Sequence, residues 1–360
     1  MIKLTKDLCR QALMGGLLLG GGGGGTLTSG YEALEETFKY TDAITLLDVT
    51  ELPADAVIAN VSTLGAPSAT DMHLTAKHWK KALENFEEKY GKKVAGFTSC
   101  ENGAISTANG WILSALTGIP IIDAPSNGRA HPTGTMGSIG LNTDPTYVTT
   151  QSACGGEGDH YLETVASGAL QPTSAVIRAS AAADGGMVAV IRNPVTASYL
   201  RSHAAVGAIK QALSIGAIFE KCQNGQEFVD KLIDSYDAKF ILQGKIAGYE
   251  LKQDGGYDIG HLCVSNENEQ VELTFWNEYM LAEQEGQRIC TFPDLMVTLD
   301  AQTGEAVSTA EARNGRDVFV LYIPKDKLIL GAGMHQVKLF QEVEALLHKD
   351  MTKCNADLFN

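Results

Sequence analysis

No Cys-x-x-Cys pair occurs in this 360-residue chain, and its seven cysteines (Cys9, Cys100, Cys154, Cys222, Cys263, Cys290 and Cys354) are scattered and odd in number. That usage fits neither a disulfide framework nor a structural zinc knot, so a reducing, cytoplasmic setting is the simplest expectation. Basic residues are scarce, with 28 Lys and Arg against 43 Asp and Glu and a formal net charge of −15. Nucleic acids and anionic membranes call for a basic patch, so neither is expected as a partner. No apolar run is long enough to span a bilayer. Met14 to Gly25, behind Lys3 and Arg10, is too short in its apolar part for a signal peptide and passes into glycines instead of a cleavage site. The run Gly20 to Gly25 lacks the Gly-Lys-Ser/Thr of a Walker loop, and six consecutive glycines match a dinucleotide fingerprint trivially. His73 and His78 lie five apart, which is not the i,i+4 spacing of a helical metal pair.

What is present is a hydrophobic content of 44%, enough for a full core, and a length that suits two domains. The first part reads as alternating strands and helices. A short helix is expected over 4–14, a strand at Leu17-Leu18-Leu19, then the glycine loop and a helix over 30–40. Strands follow at 43–47 and 56–61, the second running into Ser62 to Pro67. A helix is expected from near Asp71 to Tyr90, closed by Gly91, then a strand at 94–97, a helix at 105–116 and a strand at 118–122. Such alternation predicts an α/β fold with a mostly parallel sheet and flanking helices. Further on, the pattern suggests a strand at 146–151, a helix near 160–167, strands at 176–179 and 187–191 joined through Asp184-Gly185-Gly186, and helices at 196–216 and 225–235. From about residue 238 the character changes to short strands between turn signals: 239–251, 257–264, 271–276, 295–299 and 318–323. The expected organisation is an α/β domain over 1–236, a β-rich domain over 237–333, and a helix and tail over 334–360 that pack back on the body.

The chemistry centres on Ile121 to Met136. An apolar run ends in Asp123, the Asn127-Gly128 turn follows, and Arg129 and His131 come directly after. Loops at the carboxyl ends of strands are where ligands bind in open α/β sheets. Glu101 and Asn102 leave the neighbouring strand, and Asn277-Glu278 and Asp294 come from the β-rich part. Carboxylates with a histidine can do acid–base work or bind a divalent metal. The alternatives are a structural Asp123–Arg129 ion pair, a solvent-facing His131 and an Asn277-Glu278 pair that only caps a turn. The glycine loop suits an anion at a helix N-terminus as well as it suits a close-packed turn. Cys100 at a strand end reads as a small buried residue before it reads as a nucleophile.

The glycine run, Leu64-Gly65-Ala66-Pro67, Glu101-Asn102-Gly103-Ala104 and above all Asp123 to Pro132 resemble the S-methyl thiohydantoin desulfurase family, as do Gly244-Lys245, Asp254-Gly255-Gly256, Asn277-Glu278 and Pro293-Asp294-Leu295. Members often accompany hydantoinase and oxoprolinase proteins. His131 stands where members carry an aromatic residue, and Asn102 where they carry a second glycine. The resemblance implies a two-domain architecture and a hydrolase reaction in which water replaces the methylthio group at C2 of a thiohydantoin-type ring. It implies catalytic roles for Glu101 or Asp123 as base or metal ligand, Arg129 as anchor and His131 as a proton donor. Gly22, Gly23, Gly24, Gly65, Asn102, Gly103, Asn127, Gly128, Asn277, Glu278 and Asp294 are then expected at the substrate. A divalent metal such as zinc, held by Glu101, Asp123 and His131, is one option for activating water. The other class of reading is a non-catalytic small-molecule-binding or partner protein of a hydantoinase-type enzyme. A homo-oligomer is the expectation for a closed-symmetry protein of this kind.

Overall fold

A computed structural model describes residues 1–65, 73–254 and 257–359. The Ala66-Pro67 half of one turn, the helix start expected near Asp71 and the Gly255-Gly256 pair lie outside the described residues. In the first part the elements are β1 (Ile2–Leu4), α1 (Lys6–Leu19), α2 (Leu27–Thr37), β2 (Ile44–Leu47), β3 (Val57–Gly65), α3 (Ala76–Tyr90), β4 (Gly96–Thr98), α4 (Ala104–Ala108), α5 (Trp111–Thr117) and β5 (Ile121–Ile122). They are followed by β6 (Thr149–Gly155), β7 (Leu162–Gly168), α6 (Leu170–Ala183), β8 (Met187–Thr196), α7 (Ala197–His203), α8 (Ala208–Phe219) and α9 (Gly225–Tyr236). Their strands form one eight-stranded sheet in the order β1-β2-β5-β4-β3-β8-β6-β7. The parallel strands β2, β5, β4 and β3 are the expected α/β centre. Antiparallel β1 extends it on one side, and β8, β6 and β7 on the other.

The second part holds β9 (Lys239–Asp254), β10 (Tyr257–Ser265), β11 (Gln270–Trp276), β12 (Glu278–Gln284), β13 (Gln287–Thr291), β14 (Leu295–Asp300), β15 (Asp317–Ile323) and α10 (Val337–Leu347). These strands make a seven-stranded antiparallel sheet, β13-β12-β11-β10-β9-β15-β14. Leu339, Phe340 and Val343 of α10 pack into its core beside Phe275, Phe292 and Val320. No helix among the described residues is long and apolar enough to cross a membrane.

Several local expectations change. Leu17 to Leu19 are not a strand but the last turn of α1, which Thr5 caps through Leu8 N–H. The helix is buried along its C-terminal half, so it shows no amphipathic period to separate it from a buried strand. It is buried because α8 crosses it at backbone contact: a Cβ on Gly15 would overlap the Ala212 carbonyl, and one on Gly216 the Gln11 carbonyl. The glycine loop therefore joins two helices, not a strand and a helix. Residues 160–167 are largely the edge strand β7, its residues alternating between part-exposed and exposed. Residues 176–179 lie inside helix α6, where Thr173, Ile177, Ser180 and Ala181 are buried at helical spacing. Asp184-Gly185-Gly186 accordingly closes a helix and is not a hairpin turn. The helix expected over 105–116 breaks at Asn109-Gly110, where Gly110 has φ +94°. The one expected over 196–216 breaks before Gly207, with the same φ. Strands β1, β12 and β13 had no clear signal of their own.

Candidate active site

At the end of β4 the chain turns into the loop that carries Glu101, and that loop is zipped to the one after β5. Thr98 Oγ1 donates to the Ala124 carbonyl, and the Ser126 and Asn127 amides donate to the carbonyls of Ser99 and Cys100, both at 3.0 Å. This zipper brings Glu101 to His131. The His131 amide donates to Glu101 Oε2 at 3.2 Å, and its imidazole Nε2 lies 3.3 Å from the same oxygen. The other carboxylate oxygen accepts from Ser106 Oγ at 3.0 Å. The side chains are 13% and 4% exposed. The ring is edge-packed on Gly137, where a Cβ would come within 2.7 Å of it. Neither ring nitrogen has a hydrogen-bond partner among the described residues, and the 3.3 Å approach to Glu101 leaves Nδ1 and Nε2 without one. His131 is thus not a solvent-facing loop residue.

Arg129 is fully buried and bridges the two sheets. Its Nη1 donates to the carbonyls of Pro293 at 3.0 Å and Asp294 at 2.7 Å, its Nε to Ala130, and its plane lies 4.5 Å from the centre of the Phe292 ring. Nη2 has no partner among the described residues. Burial pushes the guanidinium down to about 10, against the pull of Glu278, Asp294 and Glu101. Glu278, buried at the start of β12, presses its carboxyl on Gly23, where any Cβ would overlap it. Its Oε2 has no hydrogen-bond partner among the described residues. Burial, then the Glu101 charge, raises its pKa well above the usual carboxylate range, with Arg129 opposing. Both causes favour the neutral carboxyl over the carboxylate at Glu278.

Other expected site residues are committed to structure. Asp123 is not with Glu101: its Oδ1 accepts from the amides of Ile209 at 2.8 Å and Lys210 at 3.3 Å, capping α8, and its Oδ2 faces Lys210 Nζ at 3.3 Å. It makes its ion pair with Lys210 and not with Arg129. Asn102 is satisfied by Gly128, Ala208 and Thr107. Asn127 donates to the Arg129 carbonyl and accepts from Gly331. Gly103 and Gly24 touch backbone to backbone, and Gly128 packs on the Ile329 carbonyl. The Gly22 carbonyl accepts from Thr309, and Asn277 in the left-handed region closes a turn with Asp258. Asp294 Oδ1 accepts from the Lys325 amide at 2.9 Å, and burial raises its carboxyl. Gly65 ends β3 against Gly186, away from this cluster's contacts. Among the described residues no three His, Cys, Asp or Glu side chains gather to hold a metal ion, so Glu101, Asp123 and His131 do not form a metal site.

Sequence reasoning missed Ser106, which orients Glu101, and Asn60 and Arg192, which meet at Cys100. Cys100 Sγ donates to Asn60 Oδ1 at 3.0 Å and accepts from Arg192 Nη2 at 2.9 Å. The one available signal was a charged residue inside the otherwise buried run of β8.

Two family models match the chain: the S-Me-THD-like N-terminal domain over residues 9–163 and the S-Me-THD-like C-terminal domain over residues 169–334. The chain belongs to the S-Me-THD-like family. The crystal structure of a protein from Chromobacterium violaceum shares the fold, with a TM-score of 0.73 at 19% identity over 97% of each chain. No curated protein matches. Around this loop, His131 Nδ1 and Nε2, Arg129 Nη2 and Glu278 Oε2 are buried polar atoms with no hydrogen-bond partner among the described residues.

Proposed function

We propose that this S-Me-THD-like protein hydrolyses an S-methylated thiohydantoin-type ring, releasing methanethiol and leaving the hydantoin. The observation that carries the reading is the Glu101–His131 pair, a carboxylate held by Ser106 against an imidazole whose nitrogens are otherwise unbonded. Such a pair can take a proton from an attacking nucleophile and return it to the leaving sulfur. Charge that develops on the ring nitrogen and exocyclic oxygen needs donors in a water-poor site. Arg129 Nη2 is of that type, and so is the Glu278 carboxyl in the neutral form that its burial favours.

The test is a methanethiol-release assay on 2-(methylthio)hydantoins with the full chain, run beside metal analysis and after chelation. Turnover is expected, and Glu101→Gln should lower kcat about 10²- to 10⁴-fold with little change in KM. Absence of methanethiol from every ring tried would sink the reading. Binding of the intact ring without turnover would support the non-catalytic alternative instead.

A further inference from the structure

One face of the first sheet carries a polar stripe beside the Glu101 loop. Asn60 on β3 pairs in register with Arg192 on β8, and Arg192 with Gln151 on β6, so the three side chains share a face. Below them on that face, α6 covers an apolar patch of Val188, Val190 and Ala153. Cys100 reaches this stripe from the end of β4. Its half-buried sulfur is held between the Asn60 amide oxygen and the Arg192 guanidinium.

Two further side chains on the same face have polar atoms with no partner among the described residues. Gln151 is fully buried. Its Nε2 is occupied by Ser174 of α6 at 2.9 Å, and its Oε1 is bare. Ser62 lies two residues beyond Asn60 on β3, 4% exposed, with an unbonded hydroxyl. A buried acceptor and a buried donor left unsatisfied are costly unless something pairs with them. A ring amide offers both an N–H and a carbonyl. The Glu101–His131 pair borders the same loop, since Glu101 follows Cys100 and Gly137, which packs on the His131 ring, lies near the Cys100 carbonyl.

We propose that Cys100 is the nucleophile of the desulfurisation, with the Arg192 guanidinium against its sulfur and Gln151 and Ser62 receiving the ring amide. This rests on the reading of the protein as a thiohydantoin hydrolase. Cys100 Sγ passes its proton to the His131–Glu101 pair as it adds to C2 of the ring, the C2–SCH3 bond breaks, and methanethiolate leaves with that proton. C2 is then joined to Cys100 Sγ. Water, deprotonated by the same pair, adds to C2, and the C2–Sγ bond breaks as the sulfur takes that proton back. The water oxygen becomes the C2 carbonyl and the second proton goes to the ring nitrogen, so the sum is ring plus water to hydantoin plus methanethiol. A guanidinium on the sulfur is the partner that an attacking and departing thiolate needs at both steps.

The experiment is acid quench of the wild-type chain during turnover of 2-(methylthio)hydantoin, followed by intact-mass and peptide mapping. The expected result is a ring adduct lacking the methylthio group, mapped to Cys100. Methanethiol release by Cys100→Ala should fall about 10³-fold or more. Arg192→Lys should lose adduct formation in step with turnover. Matched unfolding midpoints check that the variants fold, and the wild-type adduct needs no variant. Wild-type turnover with no adduct and with Cys100→Ala still active would overturn the nucleophile while leaving the hydrolase reading intact. No methanethiol from the wild type would remove the hydrolase reading and this proposal with it.

Discussion

Glu278 shows how one residue's surroundings set its chemistry. A glutamate opening a strand on a sheet edge would be ionised and solvated. Here it is buried against a glycine with one oxygen unbonded among the described residues and a second carboxylate nearby, and the burial and that carboxylate both push its pKa up. Stability follows from that with a definite sign. A carboxyl whose folded pKa is raised stabilises the fold fully below the unfolded value of about 4.3, and the contribution is lost as the pH rises toward and through the folded value. Urea midpoints of the wild type should therefore fall relative to Glu278→Gln as pH is raised from about 4, by up to about 1.4 kcal/mol per pH unit. Parallel pH profiles for the two proteins would show that Glu278 is ionised in the fold. Arg129 is the other costly burial. Arg129→Met should be milder than Arg129→Ala, because methionine keeps the stack on Phe292, whereas alanine also leaves a cavity, at about 2–5 kcal/mol. Unfolding midpoints at neutral pH give both values.

Among the elements, α8 depends on a cap supplied from 85 residues earlier. It begins after Gly207 with no side-chain cap of its own, and Asp123 fills that place from the end of β5. Asp123→Ala should cost about 2 kcal/mol and Lys210→Ala much less, because the lysine is 44% exposed and its pair is screened. A loss of activity in Asp123→Ala that exceeds its loss of stability, seen by comparing kcat at matched folded fractions, would return Asp123 to the catalytic list. The α1–α8 crossing is equally local in cause. Gly216→Ala pushes a methyl into the Gln11 carbonyl, so the helices must separate, and the thermal midpoint should drop.

For the whole molecule, the two sheets are not independent. Leu18 and Leu19 at the end of α1 share a core with Leu295, Leu299 and Leu321 of the second sheet. The glycine loop adds main-chain bonds across the same boundary, Gly21 to Tyr279 and Gly22 to Thr309, each at 2.8 Å. Arg129 spans it with two more. Trp111 lies in the core of the first sheet and Trp276 in that of the second. Single-tryptophan variants reporting from each should give coincident urea transitions. Two separated transitions would mean that the shared core is too small to couple the halves.

The sequence by itself determined what depends on local period and turn chemistry. The alternation of strand and helix around β2 to β5, the change to antiparallel strands near residue 238, and the position of Glu101 and His131 on loops leaving strands were all legible. So was the family, carried by short motifs along the whole chain. It did not determine α6 or the C-terminal turn of α1, because helical stretches that are buried all round or rich in alanine carry no contrast between faces. Nor did it determine which polar residues are spent on structure. Asp123, Asn102 and Asn127 look the same in sequence as Glu101 and His131. Only the tertiary contacts with Ile209, Ala208 and Gly331 engage the first three, and only the closure of the sheets over Arg129 and Glu278 leaves Nη2 and Oε2 without a partner among the described residues. Pairing between residues far apart in the chain decides that, and no local pattern encodes it.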